Sequence, residues 1–196
     1  MQRISVQTLV ERLGKLGPKD LTIPTVQAMV GDGALDETTL RPYIGSRTDK
    51  YARRLVHRGP HFEMLVLTWL PGQFTPVHNH AGSLGWVRLI RGQIAEDSYK
   101  LVPGASLPAA LVANDPTSCG GRVGLESTGS AVIAQIGAVA NVDRLRAIHR
   151  LGNPATAGET TVTLHVYAPA HDACLAFDVE KRTCSRRELA YDPMPG

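Results

Sequence analysis

The segment GQFTPVHNHAGSLGWVRLIRG, residues 72–92, decides how the rest of the chain is read. Glycines frame it at Gly72, Gly85 and Gly92, and His78 and His80 sit inside the frame as a His-x-His. A strand-like stretch, Phe62 to Leu70, precedes it, and another, Trp86 to Ile90, follows. On a β-strand, side chains at i and i+2 point to the same face. His78 and His80 are therefore expected to face one cavity, where neutral imidazoles suit a first-row transition metal.

Composition narrows the class. The chain has 196 residues, enough for one domain with a substantial core. Apolar residues make up 43% and charged residues 20%, which fits an ordinary globular protein. A net charge of +3, scattered along the chain, gives no basic footprint for nucleic acid. No run approaches the ~18 apolar residues of a membrane helix. The opening MQRISVQTLVERLGKLG is charged throughout and lacks a secretory apolar block. The cysteines are Cys119, Cys174 and Cys184, without framework spacing, so reduced thiols and a cytoplasmic setting are expected.

The pattern outward from the histidines is a short helical region followed by many short strands. Ile4, Leu9, Val10, Leu13 and Leu16 fall near helical spacing, which predicts a helix from about Ser5 to Lys15, ended by Gly17-Pro18. A second helix is expected over Ile23–Met29, and a third, capped by Asp36, through Leu40. Strands are expected at Ala52–His57, Phe62–Leu70, Trp86–Arg91, Gln93–Leu101, Ser130–Ile136, Arg146–Leu151, Thr160–Tyr167 and Leu175–Asp178. Gly92 reads as a hairpin turn, and Pro103–Gly129 as loop at a barrel mouth. The expected architecture is mainly β: a single domain over 1–196, with a helical cap over 1–45 and a small antiparallel barrel over 51–180.

Two histidines do not make a tight site. His149, at the end of a predicted strand and followed by Asn153, is the third candidate, because a closed sheet brings distant strands alongside. Taken alone it reads more readily as a buried, hydrogen-bonded core histidine or a surface residue. His57, His61 and His171 read as structural or surface groups. Spacing alone leaves iron, nickel, zinc and manganese open.

With these residues named, the chain resembles the cupin superfamily. Gly72, His78, His80 and Gly92 match its first motif, but Gly85 stands where that motif has a glutamate. His149 and Asn153 match the end of the second motif, although Arg144 and Arg146 replace its Pro-x-Gly. Loss of the glutamate is similar to the cysteine dioxygenase family, which uses three histidines alone. Further likeness lies in Tyr51-Ala-Arg53-Arg-Leu-Val, in FEMLVLTW over 62–69, in Thr163-Leu-His165-Val-Tyr167, and in Asp172-Ala-Cys174. It runs from about Tyr51 to Asp178. His78-Asn79-His80 replaces the commoner His-Asp-His, and Thr163 replaces a serine.

That resemblance implies a jelly-roll-like cupin barrel holding Fe(II) on His78, His80 and His149. It implies a thiol dioxygenase whose first-choice reaction is oxidation of L-cysteine by O2 to cysteine sulfinic acid. The resemblance selects Arg53 over its neighbour Arg54 for the substrate carboxylate, with Tyr51 adding a hydrogen bond. Tyr167, oriented by His165 and Thr163, would face substrate or oxygen. Trp69 and Trp86 read as core or pocket wall, and Cys174 as a rim residue or small hydrophobe. Animal members carry a cysteine, cross-linked to the tyrosine, where Gly85 stands, so a bacterial type without the cross-link is implied. The alternatives are another carboxylated thiol, 3-mercaptopropionate or mercaptosuccinate, and a non-catalytic metal-binding cupin sensor. The implied partners are a small thiol and O2, with no nucleic acid or membrane, in a monomer or small homo-oligomer.

Overall fold

The computed structural model describes residues 3–31, 33, 35–103, 105, 123–143 and 147–194. Cys119, Arg144, Arg146 and most of the stretch expected as loop at Pro103–Gly129 lie outside the described residues.

Helix α1 (Val6–Gly14) begins at Ser5, whose hydroxyl accepts the Thr8 amide at 3.1 Å. It buries Val6, Leu9 and Leu13, one stripe of the helix. Each such side chain contributes roughly 1.5–3 kcal/mol by leaving water. Helix α2 (Ile23–Gly31) and a 3-10 helix (Glu37–Tyr43) follow, the latter capped by the Asp36 carboxylate on the Thr38 amide.

Strands β1 (Ala52–Arg58), β2 (Glu63–Trp69), β3 (Val77–His78), β4 (Leu84–Arg91), β5 (Ile94–Leu101), β6 (Leu125–Ile133), β7 (Val139–Val142), β8 (Ile148–Gly152), β9 (Thr161–Ala168), β10 (Ala173–Asp178) and β11 (Thr183–Glu188) form two sheets. One has the order β1-β2-β9-β4-β7 and the other β11-β10-β3-β8-β5-β6, with every strand pair antiparallel. This is the jelly-roll-like cupin barrel with N-terminal helices that the resemblance implies.

Strand periodicity divides the two packing layers. Met64, Val66, Trp86, Val162, Leu164 and Val166 pack against the helices. Leu65, Leu67, Trp69, Val87, Leu89 and Tyr167, one step out of phase, fill the barrel interior. Both faces of β2 and β9 are therefore covered, and every residue of both strands is buried. Trp86 lies on the helix side, with its Nε1 donating to the Ile23 carbonyl at 3.2 Å. Trp69 lies inside.

Several expectations change. Gly92 does not close a hairpin between paired strands: β4 and β5 belong to different sheets, and Gly92, at φ +77°, carries the chain across. A Cβ there would also meet Thr161 Oγ1 at 2.5 Å, so the position demands glycine twice over. The strand expected at Ser130–Ile136 is Leu125–Ile133 instead. Its register is imposed by β5, from Ile94↔Ile133 to Leu101↔Leu125, and its polar, exposed sequence carries no alternation to read. β3, a two-residue strand inside its sheet, and β7 and β11, at sheet edges, are set by tertiary pairing. Cys184 is disulfide-bonded, which departs from the expected reduced thiols, whereas Cys174 is free and buried. Among the described residues no helix is long and apolar enough to cross a membrane.

Candidate metal centre

Barrel closure brings the three histidines together. His78 lies directly opposite His149 across β3 and β8. Strand pairing stops after His78, and Asn79 turns the other way. Its side-chain oxygen accepts the Leu175 amide at 2.9 Å, and its own amide donates to the Leu175 carbonyl. That anchor to β10 leaves His80 in the following turn, facing the same cluster as His78. His80 Nε2 lies 2.8 Å from His149 Nε2, and ligand nitrogens from all three rings fall within 4.8 Å of one another.

The donor set fits a transition-metal ion. The Nδ1 of His78 bonds the Pro76 carbonyl at 3.0 Å, and the Nδ1 of His149 bonds Glu96 Oε1 at 2.5 Å. A carbonyl or carboxylate can only accept, so each Nδ1 carries a proton, and Nε2 is the nitrogen left to bind a metal. Burial, reinforced by the neighbouring His149, lowers the His78 pKa to about 3 and that of His80 well below the usual histidine value. Both are neutral at ordinary pH, the form that binds metal.

The pocket beside the cluster holds the other expected residues. Tyr51, Arg53, His165 and Tyr167 line it together with His78 and His80. Arg54 faces away, donating to the carbonyls of Gly45 and Pro193, as strand alternation requires. Tyr51 stacks on Trp69 with ring centroids 4.4 Å apart. Arg53 rests on the Tyr191 ring, and its Nη2 reaches Glu63 Oε1 at 3.4 Å. Its Nη1 is buried without a hydrogen-bond partner among the described residues.

Thr163, His165 and Tyr167 occupy one inward face of β9 and form a continuous chain. Thr163 Oγ1 lies 2.8 Å from His165 Nε2, and His165 Nδ1 lies 2.9 Å from the Tyr167 hydroxyl. Trp69 Nε1 anchors the far end of this chain, donating to Thr163 Oγ1 at 2.9 Å. His165 thereby links Thr163 at one ring nitrogen to the Tyr167 hydroxyl at the other. Burial raises the Tyr167 pKa above that of an ordinary phenol, so it stays protonated and able to donate.

Gly85 pairs with Tyr167 across β4 and β9. A Cβ at Gly85 would lie 3.3 Å from Tyr167 Cε1 and 3.2 Å from two His80 ring atoms. Cys174 also lines the pocket, and burial raises its pKa to about 11, leaving an unreactive thiol.

Some residues at the site escape a reading of the sequence. His171, expected to be structural or surface, is a partly buried member of the pocket wall, edge-on to Tyr167 at 5.0 Å. Only its position four residues after Tyr167 hints at this. Glu63 is fully buried within reach of Arg53, Arg58 and His171, and accepts the Tyr191 hydroxyl at 2.5 Å. The tail bearing Tyr191 crosses β1, where Asp192 Oδ2 accepts the Arg53 amide at 2.7 Å and the Asp192 amide donates to the Arg53 carbonyl. No local pattern announces so distant a contact. Glu96, the partner of His149, lies unmarked inside a predicted strand.

Barrel, histidine triad and pocket define a metal-binding cupin of the three-histidine class. The model of the family described as cysteine dioxygenase type I matches residues 4–180, and the chain belongs to that family of thiol dioxygenases. Human cysteine dioxygenase type 1 is 26% identical over 160 residues, covering 81% of this chain and 71% of the human protein. The zebrafish (Danio rerio) protein of the same name is 27% identical over 130 residues, covering 66% of this chain and 56% of its own. Among solved structures, TT1209 from Thermus thermophilus aligns with a TM-score of 0.44 at 21% identity, covering 66% of this chain and 93% of that one. A Klebsiella pneumoniae protein with a double-stranded β-helix domain aligns at 0.45 and 16% identity, covering 66% and 81%.

The buried histidines fix a pH dependence. Burial holds His78 and His165 at a pKa of about 3 and His171 at about 4, with nearby His149 adding for the first and Arg53 for the other two. In the unfolded chain these groups take up protons near the ordinary value of ~6.5. Between those limits the unfolded state binds more protons, so stability falls as pH drops from about 6.5 towards about 3. Chelator-treated protein should show a lower urea midpoint at about pH 5 than at about pH 7.5. Equal midpoints would contradict the buried, neutral assignment.

Proposed function

We propose that this protein is a non-haem Fe(II) dioxygenase that oxidises L-cysteine with O2 to cysteine sulfinic acid, adding both oxygen atoms to sulfur. The observation carrying this reading is a cluster of three histidine nitrogens beside one pocket that is lined by the buried Arg53 guanidinium and by the His165–Tyr167 end of a Thr–His–Tyr hydrogen-bonded chain. His78, His80 and His149 would hold the iron, which supplies the redox chemistry linking a substrate thiolate to dioxygen.

The remaining work falls to the chain's own residues. Arg53 offers Nη1 to the substrate carboxylate, and a buried donor without a partner gains most from such a bond. Glu63 and the Tyr191 ring fix the guanidinium from behind. Tyr51 supports the same wall. Tyr167 directs its hydroxyl at the reacting groups, while His165 and Thr163 hold that hydroxyl in place. Trp69, Leu67 and Leu151 exclude water, which strengthens each of these polar contacts.

Oxygen uptake separates this reading from a binding protein. Fe(II)-loaded protein mixed aerobically with L-cysteine should consume oxygen over many turnovers, whereas a sensor would not. Arg53→Ala should lower kcat/KM for cysteine roughly 10–100-fold, the value of a charge-assisted hydrogen bond. Cysteamine, which lacks a carboxylate, should be little affected. Arg53→Lys keeps a charge beside Glu63 but loses the planar fork, so it should show the same selectivity with a better-preserved fold. Equal losses on both thiols would make Arg53 structural.

Gly85 supplies no side chain to Tyr167, and we infer that Tyr167 remains a free phenol through turnover. Peptide mapping after extended turnover should return the Tyr167 peptide at its unmodified mass. A Tyr167 peptide covalently joined to a cysteine would refute this.

A further inference from the structure

The three histidines differ in what stands behind them. The Nδ1 of His78 is bonded to a backbone carbonyl, that of His80 is buried with no partner among the described residues, and that of His149 is bonded to a carboxylate. The His149 contact, at 2.5 Å, is the shortest of these and the only one to a formal charge. His149 is 1% exposed, and the Glu96 side chain 23%, so water screens the contact weakly. Glu96 makes no other hydrogen bond or ion pair among the described residues.

Strand register creates the pair. Ser98 lies opposite His149 across β5 and β8, and Glu96, two residues earlier, shares its face. Asp97 points the other way, where it bonds Arg150 at 2.6 Å and Ser130. Two acidic neighbours on one strand are thus assigned to opposite sides, and only Glu96 meets the cluster.

We propose that Glu96 is a positioning residue that supplies negative charge to the metal centre through the His149 ring. Three neutral imidazoles bring no anionic charge to a divalent ion. A carboxylate accepting from Nδ1–H locks the tautomer, fixes the ring and raises the donor strength of Nε2. His149 becomes the strongest donor of the three, and His80, with nothing behind its Nδ1, the weakest. The consequence is tighter metal binding and a ferric state stabilised relative to ferrous, which eases transfer of charge to an oxidant. The proposal rests on the metal reading above.

The test uses full-length protein, with the Fe(II) dissociation constant measured by anaerobic chelator competition and the Fe(III)/Fe(II) potential by redox titration. Glu96→Gln retains an oxygen to accept from Nδ1 but removes the charge. It should bind Fe(II) roughly 10–100-fold more weakly and show a higher potential. Glu96→Asp, which keeps the charge on a shorter arm, should recover part of both. Asp97→Asn removes the same charge from the opposite face and should leave both unchanged. Wild-type affinity and potential in Glu96→Gln would overturn the proposal, as would equal shifts in Glu96→Gln and Asp97→Asn, which would reduce the effect to net charge. If wild-type protein fails to bind Fe(II), or His149→Ala retains it, the metal reading fails and this proposal with it.

Discussion

The pairing of His78 with His149 across two short strands is the constraint on which the site depends. A slip of one residue between β3 and β8 would turn His149 out of the cavity, because strand side chains alternate with a period of two. Two backbone and side-chain bonds between Asn79 and Leu175 hold β3 against β10 and resist that slip. On the other flank, β8 is fixed by its register with β5, which also places Glu96 behind His149. The same neighbours that set the register therefore also set the electronics of the ligand.

The second sheet contributes rigidity of a different kind. β2, β9 and β4 are covered by helices on one face and by the barrel interior on the other. Thr163, His165 and Tyr167 project from β9, a strand buried along its whole length. Burial shields their hydrogen bonds from solvent, and the indole of Trp69 anchors Thr163 at the far end. A helical cap that touches no substrate thus holds the strand that orients the tyrosine.

Part of this is visible in the sequence for physical reasons. Helix α1, with its Ser5 cap and apolar stripe, obeys local rules, as do the long buried strands β2 and β9. The His-x-His pair can be read because a period of two survives in the strand end and turn that carry it. Gly92 misleads because the same glycine signature serves a hairpin and a crossing between sheets. β6 falls earlier than expected because its pairing with β5, not its own polar sequence, defines it. His171, Glu63 and Tyr191 escape notice because their roles come from contacts far apart in the chain. A buried carboxylate facing two arginines has no periodicity. Glu96 hides beside Asp97: which of two adjacent acids faces inward is a property of register, and register is settled by pairing.

If the histidine cluster and the pocket beside it direct both atoms of one dioxygen molecule onto a substrate sulfur, isotopic labelling will show it directly. Fe(II)-loaded protein supplied with L-cysteine under 18O2 in ordinary water should yield cysteine sulfinic acid in which both added oxygens are 18O. Product in which either added oxygen comes from water, or cystine formed in its place, would contradict the account.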